Sequence, residues 1–236
     1  MRLLAADTST WAGSVALMEG EALLAEWTLQ ATGTHNRRLL RTIEAILAEA
    51  GMPLSSLDAV AVTTGPGSFT GLRIGLATMK ALAWARGLAF CGVPTLDALA
   101  APLSGQALPV CALLDARKRE VYRGRYLPGG PPGEPRRAGD FDVLPPERAA
   151  EEICEATIFC GDGFWAYRRV FEERLGALAV PAPPPFHLIR AGFVAEIARR
   201  RIEAGGAEDP VAALPLYVRP SEAEIMHPGF PTERSR

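Results

Sequence analysis

Apolar positions open the chain as short runs and then fall into helical spacing. Leu3 to Ala6 is an unbroken apolar run ending at Asp7, the signature of a strand covered on both faces. Gly13–Met18 and Ala22–Leu29 read as two further strands joined at Glu19-Gly20. Leu39, Leu40, Ile43, Ile46, Leu47 and Ala50 recur three and four residues apart, which predicts a helix opened by Thr34 or Asn36 and stopped by Gly51 and Pro53. Asp58–Thr64 is an apolar strand entering the loop Gly65–Gly71. A second helix should run from there to about Arg86, where Gly87 ends it. Leu88–Val93 is another strand and Thr95–Ala101 a short helix. A three-stranded meander followed by alternating helices and strands predicts a layered α/β structure.

The pattern then begins again. Val110–Leu114 is an apolar strand ending at Asp115, and Glu120–Tyr126 reads as the next strand after a turn. Asp7 and Asp115 therefore hold equivalent places in a duplicated α/β unit with its junction at Pro102–Pro109. The expected division is a first unit over 1–103, a smaller second unit over 104–219, and a loose tail over 220–236. Pro128–Pro146, dense in proline and glycine, predicts an exposed loop. A helix near Glu147–Glu155, a strand Thr157–Cys160, a turn Gly161-Asp162-Gly163, a helix to about Leu175, a stiff Pro181–Pro185 link and a helix Ile189–Glu203 follow.

Composition narrows the classes. Among 236 residues, 48% hydrophobic and 22% charged, Lys+Arg number 25 and Asp+Glu 27. That is an ordinary globular balance with no basic domain to hold phosphates by charge alone. Cys91, Cys111, Cys154 and Cys160 make no metal-type spacing and read as reduced thiols. The opening apolar run is too short for a secretory signal, and the uncharged stretch Ala98–Leu114 is broken by Pro102, Gly105 and Pro109. The expectation is a cytoplasmic chain with no membrane span.

Candidate chemistry is sparse. The Gly65–Gly71 loop leads into a helix N-terminus, so it either holds an anion on Gly67 and Ser68 or is a tight turn with Ser68 or Thr70 as helix cap. It has neither the Walker nor the dinucleotide spacing. Asp7-Thr8-Ser9-Thr10 could hold phosphate or metal-bound water, or close a hairpin as an Asx or Ser/Thr turn. Asp115 offers a second carboxylate, and Gly161-Asp162-Gly163 reads as a turn. Arg119, Arg123 and Arg125 fall on one alternating face with Val121, which predicts a solvated sheet face or, less simply, a nucleic-acid contact. The histidines His35, His187 and His227 are too scattered for a metal site. In the second helix, Gly71, Gly75, Thr78, Leu82 and Ala85 share one face and Leu72, Leu76, Met79 and Ala83 another. The outward stripe is only Arg73, Lys80 and Trp84. Glycines inside a helix cost about 1 kcal/mol each against alanine, so a close backbone approach is expected. A helix this apolar is buried on more than one side, in its own domain or against a partner helix.

Leu-Ala-Ala-Asp-Thr-Ser-Thr at 4–10, His35 at the first helix, the stretch from Gly65 to Thr78, Gly92–Leu99, Asp115-Ala116-Arg117 with Glu120-Val121-Tyr122, Gly161-Asp162-Gly163 and Pro215–Arg219 together resemble the TsaB (YeaZ) family over nearly the whole chain. The resemblance implies a two-domain actin-like ATPase fold of the ribonuclease-H-like type, with duplicated mixed sheets flanked by helices. It also implies a non-catalytic role in making N6-threonylcarbamoyladenosine beside the anticodon of tRNA. The partners it implies are a TsaD-like paralogue carrying the transferase chemistry, a TsaE-like P-loop ATPase, a second copy of the chain, and tRNA indirectly. ATP or ADP and metal would sit on the partner subunits, with no intrinsic cofactor here. The docking surface it implies falls on Leu39, Leu40, Ile43, Leu72, Arg73, Leu76, Met79 and Lys80, while Asp7, Thr8, Ser9, Gly67, Ser68, Asp115 and Gly161 are the remnant of a nucleotide or phosphate site.

Asp7 and Asp115 also suggest an autonomous actin-like ATPase or small-molecule kinase, since duplicated carboxylates flank the cleft of such enzymes. A glycoprotease-like peptidase is the remote alternative, because no nucleophile stands beside a base.

Overall fold

The computed structural model describes residues 1–30 and 35–219. In the first half, β1 (Arg2–Asp7), β2 (Ala12–Glu19) and β3 (Ala22–Gln30) form the meander. After α1 (His35–Glu49) come β4 (Ala59–Gly65), α2 (Phe69–Arg86), β5 (Ala89–Pro94) and α3 (Thr95–Ala100). The sheet order is β3-β2-β1-β4-β5, with β1, β4 and β5 parallel. The first helix begins at His35 as expected; the alternative cap Thr34 and the tail lie outside the described residues.

The second half repeats this plan with β6 (Val110–Asp115), β7 (Val121–Leu127), β8 (Arg136–Arg137), β9 (Asp142–Leu144), α4 (Pro146–Glu151), β10 (Thr157–Cys160), α5 (Asp162–Ala166), α6 (Arg168–Leu175), β11 (Ala179–Pro181) and α7 (Ala191–Glu203). Its sheet runs β11-β10-β6-β7-β8, with β9 also on β7. Strand β6 thus takes the place of β1, and Asp115 ends it as Asp7 ends β1.

Pleat alternation distributes β1 between two cores. Leu3 and Ala5 face one side and Leu4 and Ala6 the other, all buried. Leu4 and Ala6 meet α1 and α2 through Leu39, Ile43, Leu76 and Met79. Leu3 and Ala5 join a core shared by both sheets, into which α3 and α7 are inserted. Each fully buried leucine there contributes roughly 1.5–3 kcal/mol. A third core under α4–α6 is aromatic, with Phe159, Phe164 and Phe171 in mutual contact.

Three expectations are corrected. Helix α7, assigned by sequence to the second unit, packs on β1, β2 and β5 of the first sheet. The chain then continues as a strap along the first half. Glu208 accepts from the Gly92 amide at 2.9 Å, and the Leu216 amide donates to Thr64 at 2.8 Å. The division at 104–219 therefore does not follow the packing. Second, 128–146 is not simply a loop, since it supplies β8 and β9. Third, Arg123 is no solvated face residue. It is buried, donating to Asp142 at 3.0 and 2.6 Å and to Glu152 at 2.8 Å. Arg119 sits in a turn before β7, off that face. No helix of the described residues is long and apolar enough to cross a membrane.

Candidate functional site

The β1–β2 turn and the Gly65–Gly71 loop are built into each other. Asp7 Oδ1 accepts from the Ser9 amide at 3.1 Å, the Ser9 hydroxyl at 2.6 Å and the Thr63 hydroxyl at 2.6 Å, which closes an Asx-type turn. The Ser68 amide donates to the Ser9 carbonyl at 2.7 Å. A Cβ on Gly67 would lie 2.4 Å from that same carbonyl oxygen. Ser68 caps α2, its hydroxyl accepting from the Gly71 amide at 3.3 Å. The helix-cap reading of this loop is the one observed. Asp7, Thr8, Ser9, Gly67 and Ser68 are engaged in their own packing, where a phosphate would need that same space. The close backbone approach expected from the helix glycines is observed at Gly71, where a Cβ would meet the Thr8 carbonyl oxygen, whereas at Gly75 it would meet the Thr8 hydroxyl.

The second half is more open. Asp115 accepts from the Arg117 amide at 2.9 Å and from the Tyr167 hydroxyl at 3.4 Å, and pairs with the Arg117 guanidinium at 3.1 Å. The Asp115 amide donates to Asp162 Oδ1 at 3.0 Å. Burial, with the Asp115 charge adding to it, pushes the Asp162 carboxyl above the ordinary aspartate range against the opposing Asp115 amide bond. Gly161 packs on β6, where a Cβ would lie 2.0 Å from the Leu113 carbonyl oxygen. Arg117, Lys118 and Arg119 all take positive φ (60°, 51° and 60°), a run costing about 1–2 kcal/mol per residue.

Between the halves lies a cleft of about 220 Å³, with Thr10, Trp11 and Gln30 on one wall and Asp115, Arg117, Asp162 and His187 on the other. The His187 ring bridges the carbonyl oxygens of Gly161 (3.2 Å) and Ala182 (2.8 Å). Of the sequence candidates, Thr10 and Asp115 line this cleft. Sequence reasoning missed Trp11, Gln30, Asp162 and His187. Asp162 stood inside a motif already noticed, whereas nothing local marks the other three. Among the described residues no group of three or more His, Cys, Asp or Glu side chains is placed to hold a metal ion.

The anticipated docking residues divide. Leu39, Ile43, Leu72, Leu76 and Met79 are buried in the first half, the intradomain alternative of the two readings. Leu39, Ile43, Leu76 and Met79 pack between α1, α2 and the sheet, and Leu72 lies against Gly65. Leu40 is exposed. Arg73 lies over the Phe69 ring at 3.8 Å and donates to the Tyr217 hydroxyl at 3.3 Å. Lys80 donates to the carbonyls of Val211 (3.2 Å) and Ala213 (2.7 Å), so it anchors the strap. The most exposed large apolar side chain of α2 is instead Trp84, 76% exposed, and the strap residues Val211 and Leu214 are exposed as well.

A five-stranded and a six-stranded sheet of matching strand order, each ending its first strand in an aspartate, define a duplicated α/β protein of actin-like fold. The same fold, at TM-score 0.52 and 12% identity, occurs in component A of the (R)-2-hydroxyglutaryl-CoA dehydratase of Acidaminococcus fermentans, which covers 86% of this chain and 99% of that one. The sequence matches the family described as TsaD: tRNA N6-adenosine threonylcarbamoyltransferase over residues 29–225. Within that family it is similar to the tRNA threonylcarbamoyladenosine biosynthesis protein TsaB of Haemophilus influenzae, 32% identical over 93% of this chain and 94% of that protein. It is also similar to the solved structure of YeaZ from Pseudomonas aeruginosa, 36% identical with a TM-score of 0.79 over 92% of this chain and 99% of that one. The chain belongs to the TsaB (YeaZ) family.

Proposed function

We propose that this chain is a non-catalytic, cytoplasmic subunit of the machinery that transfers a threonylcarbamoyl group to N6 of the adenosine beside the tRNA anticodon. It docks on a TsaD-like transferase through the outward faces of α1 and α2, around Leu40 and Trp84, and activates it. A second copy of the chain competes for the same helices. A TsaE-like ATPase joins the assembly, and ATP, ADP and metal belong to those partners. The observation that carries this reading is the interlock of Asp7–Ser9 with Gly67–Gly71. The turn that would grip phosphate in an actin-like ATPase is here closed on its own hydroxyls and backbone.

The test is tRNA threonylcarbamoylation by the purified transferase and P-loop ATPase, with and without this chain. Product only in its presence is expected, and equal product without it overturns the reading. The open cleft beside Asp115 keeps one second reading, an autonomous ATPase. Calorimetry of the isolated chain with ATP showing no heat of binding removes it.

A further inference from the structure

Among the described residues the two sheets have four outer edges, and three of them are guarded against pairing with another chain. On β5 the strap lies along the edge. The Glu208 amide donates to the Phe90 carbonyl at 2.8 Å, and the Glu208 carboxylate accepts from the Gly92 amide at 2.9 Å. Strand β11 has three residues and ends in Pro181, which has no amide proton to offer. At the other side of that sheet, β8 and β9 are two and three residues long, and β8 is all arginine. Strand β3 has none of these devices. It runs nine residues, Ala22–Gln30, with no lysine, arginine or proline. Among the described residues its outer edge meets no main-chain partner, since its ladder is with β2 on the inner side. Leu23, Leu24, Trp27 and Leu29 are 42–47% exposed. The one charge of the strand, Glu26, is taken up by the Arg190 guanidinium and by the Gly192 amide at 2.8 Å. Trp27 and Leu29 line a groove with Trp11 and with Arg38 and Leu39 of α1.

An edge of this kind binds another extended strand, through main-chain amides and carbonyls with apolar side chains beside them. A second β3 fits it. Antiparallel pairing about a two-fold axis uses the same strand twice and consumes both edges. The joined sheet then ends on β5 at both sides, where the strap already covers the edge, so the assembly stops at two copies. Charge agrees with this. Antiparallel pairing brings the start of one β3, beside the exposed Glu21, to the end of the other, where Arg38 lines the groove with Leu29. Along the strand itself no uncompensated like charges meet, because Glu26 is already paired.

We propose that β3 pairs antiparallel with β3 of a second copy, joining the first sheets of two chains into one, with Trp27 and Leu29 of both chains on the α1 side. The pairing does not depend on the tRNA reading. Helix α2 packs chiefly on β4, so this edge and the outward face around Trp84 are separate surfaces.

The experiment is sedimentation velocity of the full chain over roughly a hundredfold range of concentration, with hydrogen exchange of the β3 amides read at both ends of the range. A monomer–dimer equilibrium is expected, and amides of 22–30 should exchange more slowly as the dimer forms. Leu24→Lys and Trp27→Lys each place a cation on the edge, twice in the dimer, and should raise the dissociation constant roughly tenfold or more. Both positions are exposed, so the dilute variants should melt as the unsubstituted chain does. The exchange measurement uses the unsubstituted chain and stands whatever the variants do to the fold. A chain that stays monomeric across the range, or a dimer whose β3 amides exchange as fast as the monomer's, overturns the proposal. So does a dimer that survives both lysine variants and dissolves with Trp84→Glu, which places the second copy on the helices. Protection of β3 that arises only when the transferase is added overturns it in favour of an edge kept for that partner.

Discussion

The Thr8 hydroxyl donates to the Gly71 carbonyl at 2.8 Å, and a Cβ on Gly71 would stand 2.0 Å from the Thr8 carbonyl oxygen. The first turn of α2 therefore rests directly on the β1–β2 turn, backbone against backbone. That contact fixes the helix against the end of β1.

Helix propensity alone predicts that Gly71→Ala stabilises the chain by about 1 kcal/mol. The contact predicts the opposite sign, because the obstructing atom is backbone and cannot rotate away. We expect Gly71→Ala to cost about 3 kcal/mol, or roughly 6–12 °C in melting temperature by calorimetry. Gly75→Ala should cost less, since its Cβ would meet the Thr8 side-chain oxygen at 2.4 Å rather than the main chain. A rise in melting temperature for Gly71→Ala contradicts the interlock.

Leu76 and Trp84 separate core from docking surface on one helix. Leu76 is 4% exposed, and a carboxylate there should cost upward of about 4 kcal/mol, so Leu76→Glu loses the fold before any partner is tested. Trp84→Glu should leave urea unfolding within about 0.5 kcal/mol of wild type and abolish co-elution with the transferase. Co-elution that survives Trp84→Glu moves the docking surface elsewhere.

Asp162 makes the stability depend on pH in a defined direction. Its carboxyl is raised, by burial first, so the folded chain holds that proton more tightly than the unfolded one. The resulting stabilisation is fully present below the ordinary value near 3.8 and is lost as pH rises through the raised folded value. Asp162→Asn keeps an acceptor for the Asp115 amide and does not titrate. Urea midpoints should therefore shift in favour of Asp162→Asn as pH rises through that window and level off above it. A difference independent of pH refutes the assignment.

Thiol reactivity reports two of the three cores. Cys91, Cys111 and Cys160 are buried, and Cys154 is exposed. Burial pushes the Cys91 thiol up to about 11 and the Cys111 thiol up to about 12, which withholds the reactive thiolate. Titration with a chromogenic disulfide should give one fast equivalent, at Cys154, and three more only on unfolding.

Much of the architecture was legible because local rules and burial agree. The continuous apolar run at Leu3–Ala6 needs two covered faces, and its repetition at Val110–Leu114 announced the second sheet. Gly87, in left-handed backbone at φ 65°, ended α2 where its position predicted. The candidate site was less legible. Leu72, Leu76 and Met79 could be read as covered, yet periodicity does not name what covers them. Alternation sent Arg123 to solvent, whereas β9 and α4 bring Asp142 and Glu152 around it.

The sequence by itself determined most of the elements, the duplication, the equivalence of Asp7 and Asp115, and the family. These rest on spacing within a few residues or on motifs read in order. Only the tertiary structure decided that α7 serves the first sheet, that Lys80 holds the strap through carbonyls more than 130 residues away, and that Trp11 faces the second half across a cleft. Such contacts join positions far apart in the chain, and polarity at a single position carries no record of its distant partner.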